Sequence, residues 1–192
     1  MQKIMTKEEI EKKQNRSKFI LGIVLVGLML FSTAGYAFFQ SSKTDSKKIS
    51  YGGIKFIFGE DGYWHFSINN NDYATQYNPK EVENISSSIF AGLTAYSGKN
   101  LYFSADSNRE SIDEINRNIG RFSERVQLAC VDECEEDLPV KNCTENIIII
   151  QETNSTSLIK QEDNCIYILS SIQDSVKASD KFIFDLLRIK NA

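Results

Sequence analysis

Residues 19–39, FILGIVLVGLMLFSTAGYAFF, form a run of 21 without a charged side chain. A helix rises about 1.5 Å per residue, so the run reaches roughly 30 Å, the thickness of one hydrocarbon core. No later apolar run approaches this length; the longest is IIII at 147–150. The expectation is one transmembrane helix.

The flanks orient it. Residues 1–18 carry Lys3, Lys7, Lys12, Lys13, Arg16 and Lys18 against Glu8, Glu9 and Glu11, a net charge of +3. Positive charge beside a first helix favours the cytoplasm, which makes 1–18 a cytoplasmic tail and places the chain from Gln40 onward outside. The rival reading is a cleaved signal peptide, with 19–31 as its apolar region and Gly35 and Ala37 as the small residues of the cleavage site. Against it, the apolar character continues through Tyr36, Phe38 and Phe39, and the n-region is long and holds three glutamates. Cleavage would change the attachment but not the compartment.

The polar stretch 40–50, QSSKTDSKKIS, reads as a linker. Beyond it, 51–192 is long enough for one domain with its own core. From Gln40 on the chain has 16 basic and 23 acidic residues, net −7. Such a domain has no electrostatic reason to bind nucleic acid or anionic lipid.

Hydrophobic periodicity predicts an α+β domain with a mixed, mainly antiparallel sheet and two or three helices. Ile54, Phe56 and Phe58, then Trp64, Phe66 and Ile68, alternate with outward residues across the turn Gly59–Gly62. A third strand is expected around 73–77, after Asn69–Asp72. Asn78-Pro79-Lys80-Glu81 reads as a helix start with a capping box, followed by Val82, Ile85 and Ile89. Residues 101–105 read as a strand. Ser107 with Glu110 is a second capping box, opening a helix over 108–122 with Ile112, Ile115, Ile119 and Phe122 on one face. Val126, Leu128 and Cys130 continue as a strand, which makes this unit compatible with a parallel crossover. NIIIIQ at 146–151 is apolar on both faces and suits a central strand. A hairpin over 158–169 and a helix over 174–188 capped by Asp174 complete the reading.

The four cysteines are Cys130, Cys134, Cys143 and Cys165. In an oxidising space an even count argues for disulfides. Cys134 and Cys143 sit in one loop, whereas Cys130 and Cys165 each sit on an alternating strand pattern. The expected pairing is Cys130–Cys165 and Cys134–Cys143. A zinc site wants ligand pairs two to four residues apart, often twice over, and only Cys130 and Cys134 come close. No Cys-x-x-Cys redox pair occurs. Asp132, Glu133, Glu135, Glu136 and Asp137 lack the spacing and the glycine of a calcium loop and read as a hydrated face. No cofactor site is expected.

His65, the one histidine, is the sole candidate imidazole for acid–base chemistry and falls on the face opposite Trp64, as a surface histidine does. No nucleophile elbow, phosphate loop or His-Glu-Xaa-Xaa-His occurs. Tyr63, Tyr73 and Tyr77 with Asn69–Asn71 are a candidate aromatic patch for glycan or protein, set against the plainer reading of rings packed on their own sheet. Asn84, Asn142 and Asn154 stand in N-glycosylation triplets. Gly22 and Gly27 are five apart, which is not the four-residue spacing of close helix pairing in membranes.

STAGYAFF at the end of the apolar run, YGGIKFIF after it, and the late DLPVKNC resemble uncharacterised single-pass proteins encoded by small, uncultured archaea. That resemblance implies an archaeal envelope setting, in which N-glycosylation occurs, and no assigned activity. The functional expectation is a membrane-anchored extracytoplasmic protein acting as a non-enzymatic surface or interaction module, with a protein or glycan partner. The alternatives are an envelope enzyme using two carboxylates on glycans, or an accessory subunit of a membrane complex.

Overall fold

Four isoleucines in succession occupy the middle of the domain. In the computed structural model, which describes residues 16, 18–29, 47–131, 134 and 136–190, they lie in strand β8 (Ile147–Glu152). All four are buried, Ile148 and Ile150 in one apolar cluster and Ile147 and Ile149 in another. The strand is covered on both faces, as its lack of alternation predicts.

The chain divides into two units, 1–45 and 46–192, each described by itself. In the first, helix α1 (18–29) leaves its large apolar side chains exposed, Phe19 through Met29. No helix among the described residues is long and apolar enough to cross a membrane. The expected span 19–39 and linker 40–50 lie partly outside those residues, at 30–46.

The second unit is α+β. An antiparallel sheet has the order β1-β2-β3-β4, from β1 (Lys48–Tyr51), β2 (Ile54–Phe58), β3 (Trp64–Ile68) and β4 (Asn71–Thr75). Residues 48–50, expected as the end of the linker, are a strand instead. Lys48 to Tyr51 pair along β2, and Gly52 and Gly53, both at positive φ, close the two-residue turn. A Cβ on Gly52 would fall on the Lys190 carbonyl oxygen, so this position is held for glycine twice over. Asn69 and Asn70 make the equivalent turn between β3 and β4.

The mixed sheet has the order β5-β9-β10-β8-β6-β7, adding β5 (Ser86–Ser88), β6 (Asn100–Ser104), β7 (Arg125–Ala129), β9 (Leu158–Glu162) and β10 (Cys165–Ser170). Strands β10, β8, β6 and β7 run parallel. The predicted crossover is present: β6 leads through helix α2 (Arg109–Ile119) to β7. The cap lies one residue beyond expectation, because Asn108 accepts from the Ser111 N–H while the Ser107 hydroxyl accepts from the Ile150 N–H. A 3-10 turn, Gly120–Phe122, ends the helix.

The expected helix after Asn78 is absent. Its capping box forms: Glu81 accepts from the Asn78 N–H and Nδ2, and the Asn78 Oδ1 accepts from the Lys80 N–H. Only turns follow, and the serines of 86–88 pair with β9. Serine competes weakly for helix, and an open sheet edge supplies hydrogen bonds the helix would not.

Helix α3 (Ser175–Leu186) lies between the two sheets. Phe182, Ile183 and Leu186 join the apolar face of the mixed sheet, with Phe103, Ile148 and Ile166. Phe184 points the other way and meets Phe56 and Phe66 at 5.9 and 5.8 Å between ring centroids. Asp174 stands at the N-cap position as expected but makes no capping bond through its side chain. Phe184→Ala should cost about 3–5 kcal/mol of unfolding free energy, as large-to-small core changes do, whereas Phe184→Leu should cost about 1 kcal/mol. Urea denaturation of both variants tests this; equal, small losses would mean that α3 does not join the two sheets.

Candidate functional site: the carboxyl ends of the parallel strands

Parallel strands bring all their carboxyl ends to one edge. Adjacent strands β6 and β8 send the chain in opposite directions, β6 through α2 to β7 and β8 through β9 to β10. A crevice opens where neighbouring parallel strands diverge in this way, and ligands of open α/β sheets bind there.

Two clefts occupy this edge, one on each face of β8. The first, about 190 Å³, is lined by Asp106 and Asn108 after β6, Ile150 to Glu152 of β8, and Ser170, Ser171, Ile172 and Ser175 leading into α3. The second, about 240 Å³, is lined by Ser104 to Asp106, Cys130, Val131, Cys134, Ile149, Gln151 and Tyr167. Asp106 and Gln151 belong to both.

Ser170 lines the first cleft. Ser170 is 1% exposed, and its Oγ has no hydrogen-bond partner among the described residues. A buried hydroxyl without a partner costs on the order of 1–3 kcal/mol. Asp106 and Glu152 are exposed acids on its rim. The amino ends of α2 and α3 both open there, at Asn108 and Ser175.

A second polar cluster is buried where α2 and α3 meet the free edge of β4. Asn118 reads the edge like a strand: its Oδ1 accepts from the Ala74 N–H at 3.0 Å, and its Nδ2 donates to the Ala74 carbonyl at 2.9 Å. Arg121 donates to the Asp72 carbonyl, and Asp180 accepts from the Tyr77 N–H at 2.8 Å. Glu114, fully buried, holds Arg117 at 2.9 Å and Gln76 at 3.2 Å. Burial, reinforced by the neighbouring Glu114 carboxyl, pushes the Asp180 carboxyl well above the usual carboxylate range, against the Tyr77 N–H that lowers it. Glu114 Oε1 and Asp180 Oδ1 have no hydrogen-bond partner among the described residues. Neither acid lines the clefts.

The cysteines pair differently from expectation: Cys130 with Cys134, and Cys143 with Cys165. The reason is strand order. Two strands, β8 and β6, separate β10 from β7, so Cys165 and Cys130 stand roughly 14 Å apart across the sheet, at about 4.8 Å per strand. A disulfide spans less than about 7 Å between Cα atoms. Cys143 instead leads into β8, where its carbonyl accepts from the Asn164 N–H, and its Cα lies 4.9 Å from that of Cys165. A bridge between residues 22 apart in sequence contributes about 3 kcal/mol. The sulfurs of Cys130 and Cys134 and a carboxylate oxygen of Glu136 lie within 4.8 Å, but bonding the sulfurs together removes both thiolates a soft metal needs.

The other sequence candidates are scattered. His65 is exposed and bonds Asp61 at 2.9 Å. The tyrosines form no common patch: Tyr73 is buried on Phe66 and Phe122, Tyr63 lies under Arg117, and Tyr77 under Lys177. Glu136 and Asp137 are exposed, while Asp132, Glu133 and Glu135 lie outside the described residues. Asn84, Asn142 and Asn154 are all exposed in turns or loops, and Asn142 Oδ1 accepts from the Thr144 N–H and hydroxyl. Sequence reasoning passed over Asp106, Gln151, Glu152 and Ser170. Asp106 had a signal, as the residue between a predicted strand and a predicted helix cap. The others needed the parallel order of β8 and β10.

Two measurements check these assignments. Non-reducing tryptic mapping should yield peptide 126–141 with an internal bridge, and 142–160 linked to 161–177; all three peptides joined in one species would overturn this pairing. For Asp180, the folded value is raised above the unfolded one, so stability is full below about pH 4 and falls as pH rises through the folded value. Asp180→Asn keeps an acceptor for Tyr77 but cannot titrate, so its urea midpoint should lose that decline above about pH 4. No protein-family profile, curated protein or solved structure matches the chain.

Proposed function

We propose that the chain is a membrane-anchored extracytoplasmic binding module, without catalysis, whose ligand sits in the cleft at the carboxyl ends of β6, β8 and β10. The carrying observation is the buried, unpartnered Ser170 hydroxyl at that cleft. The uncharged run 19–39 behind a +3 tail supports an anchor with the domain outside. The exposed apolar side chains of α1 agree with lipid contact, and two disulfides agree with an oxidising compartment. Two-carboxylate glycan hydrolysis fits less well. It needs one acid that keeps its proton, and such an acid is made by burial. Asp106 and Glu152 at the cleft are exposed, and Asp180, whose pKa burial raises, lies elsewhere.

Location and binding are tested separately. The chain should stay with membranes through carbonate washing, and protease added outside intact cells should remove the 46–192 unit. Recovery in the soluble cytoplasmic fraction with free thiols would overturn the placement. For binding, thermal melts of the full chain in detergent, followed by Trp64 fluorescence, are run against small sugars, amines, carboxylates and phosphates. A ligand at a hundredfold excess over its Kd adds about 2.7 kcal/mol, a rise in Tm of about 5–10 °C. Ser170→Val should remove that rise; no response to any member of the set would overturn the binding reading.

A further inference from the structure

Resting on that reading of the cleft, we propose that its ligand is a neutral, hydroxyl-rich ring, a sugar, and that the second cleft receives the next ring of a short glycan. The lining of the first cleft holds no lysine, arginine, histidine or aromatic residue. Two carboxylates without a facing cation repel phosphates and other anions. The absence of an aromatic face leaves a flat heterocycle nothing to stack on.

A cation is the remaining charged option, and two features oppose it. The amino ends of α2 and α3 place positive partial charge, about +0.5 each, at the same opening, which offsets part of the charge of Asp106 and Glu152 and weakens their hold on a cation. The lining also presents donors that a cation has no use for: the Ser170 hydroxyl and the amide nitrogens of Asn108 and Gln151. Asn108 commits its Oδ1 to the Ser111 N–H, which leaves its nitrogen to the cleft.

Sugar hydroxyls both donate and accept. Asp106, Glu152 and the Gln151 carbonyl accept, and the amides and Ser170 donate back. Ile172, 57% exposed, offers an apolar surface for the C–H face of a ring. The volume, about 190 Å³, lies below the roughly 300–1,000 Å³ of sites that enclose larger ligands, so it suits one ring. Asp106 and Gln151 also line the second cleft, where Tyr167 supplies an aromatic ring. A ligand of two rings therefore crosses the strand ends past these two residues.

The test uses the full chain in a detergent without a sugar headgroup. Glucose, mannose, N-acetylglucosamine and a disaccharide of each are titrated, with spermidine, inorganic phosphate and calcium chloride as non-sugar probes. The expected result is saturable binding of a sugar, weakened at least tenfold by Asp106→Asn, a change at an exposed position that leaves the fold intact. Tyr167→Ala should weaken the disaccharide at least threefold and leave the monosaccharide unchanged. Binding confined to spermidine, phosphate or calcium and weakened by Asp106→Asn overturns the sugar assignment while the cleft remains a binding site; the same binding indifferent to Asp106→Asn overturns both. Sugar binding indifferent to Asp106→Asn overturns the location, and no response to any probe overturns both readings.

Discussion

Helix α3 is apolar on two sides, and the rest of the unit is arranged around that fact. Phe182, Ile183 and Leu186 face the mixed sheet and Phe184 faces the antiparallel one, so neither sheet has a complete core without the helix. A helix buried on both sides must also bury whatever polar residues it carries. Asp180 is the result, and its partner Glu114 on α2 shares the position. The polar groups there are not idle: together with Asn118 and Arg121 they close the free edge of β4, which would otherwise offer unpaired backbone to another chain.

The same arrangement sets the binding edge. With the helices between the sheets, the loops from β6 into α2 and from β10 into α3 both emerge at the carboxyl ends of the parallel strands. Asp106, Asn108, Ser170 and Ser175 converge there because the backbone brings them, not because the sequence places them close together. The domain is acidic as a whole, yet at this edge the helix amino ends offset part of the charge of the local carboxylates. The net charge therefore describes the domain's solubility better than its ligand.

Local regularity was legible. The alternation in 54–58 and 64–68, the unbroken isoleucines and the period of 109–119 each named their element correctly, since each is a statement about which faces are buried. The failures share a cause. The segment after Asn78 has a sound helix start and makes its capping bonds, yet ends as turns and an edge strand because β9 offers a better partner for Ser86–Ser88. Cys130 and Cys165 each sit on or beside a strand as expected, but nothing along the chain says that two other strands come between them.

By itself the sequence determined the long uncharged run with its basic flank, the α+β character of the domain, most of its strands and the presence of enough cysteines for two bridges. These depend on period, length and composition, which are properties of neighbours along the chain. Strand order, the pairing of the cysteines, the burial of Asp180 beside Glu114 and the cleft around Ser170 were decided only in the tertiary structure. Each depends on which distant segments lie side by side, and that follows from burying both faces of β8 and both sides of α3 at once.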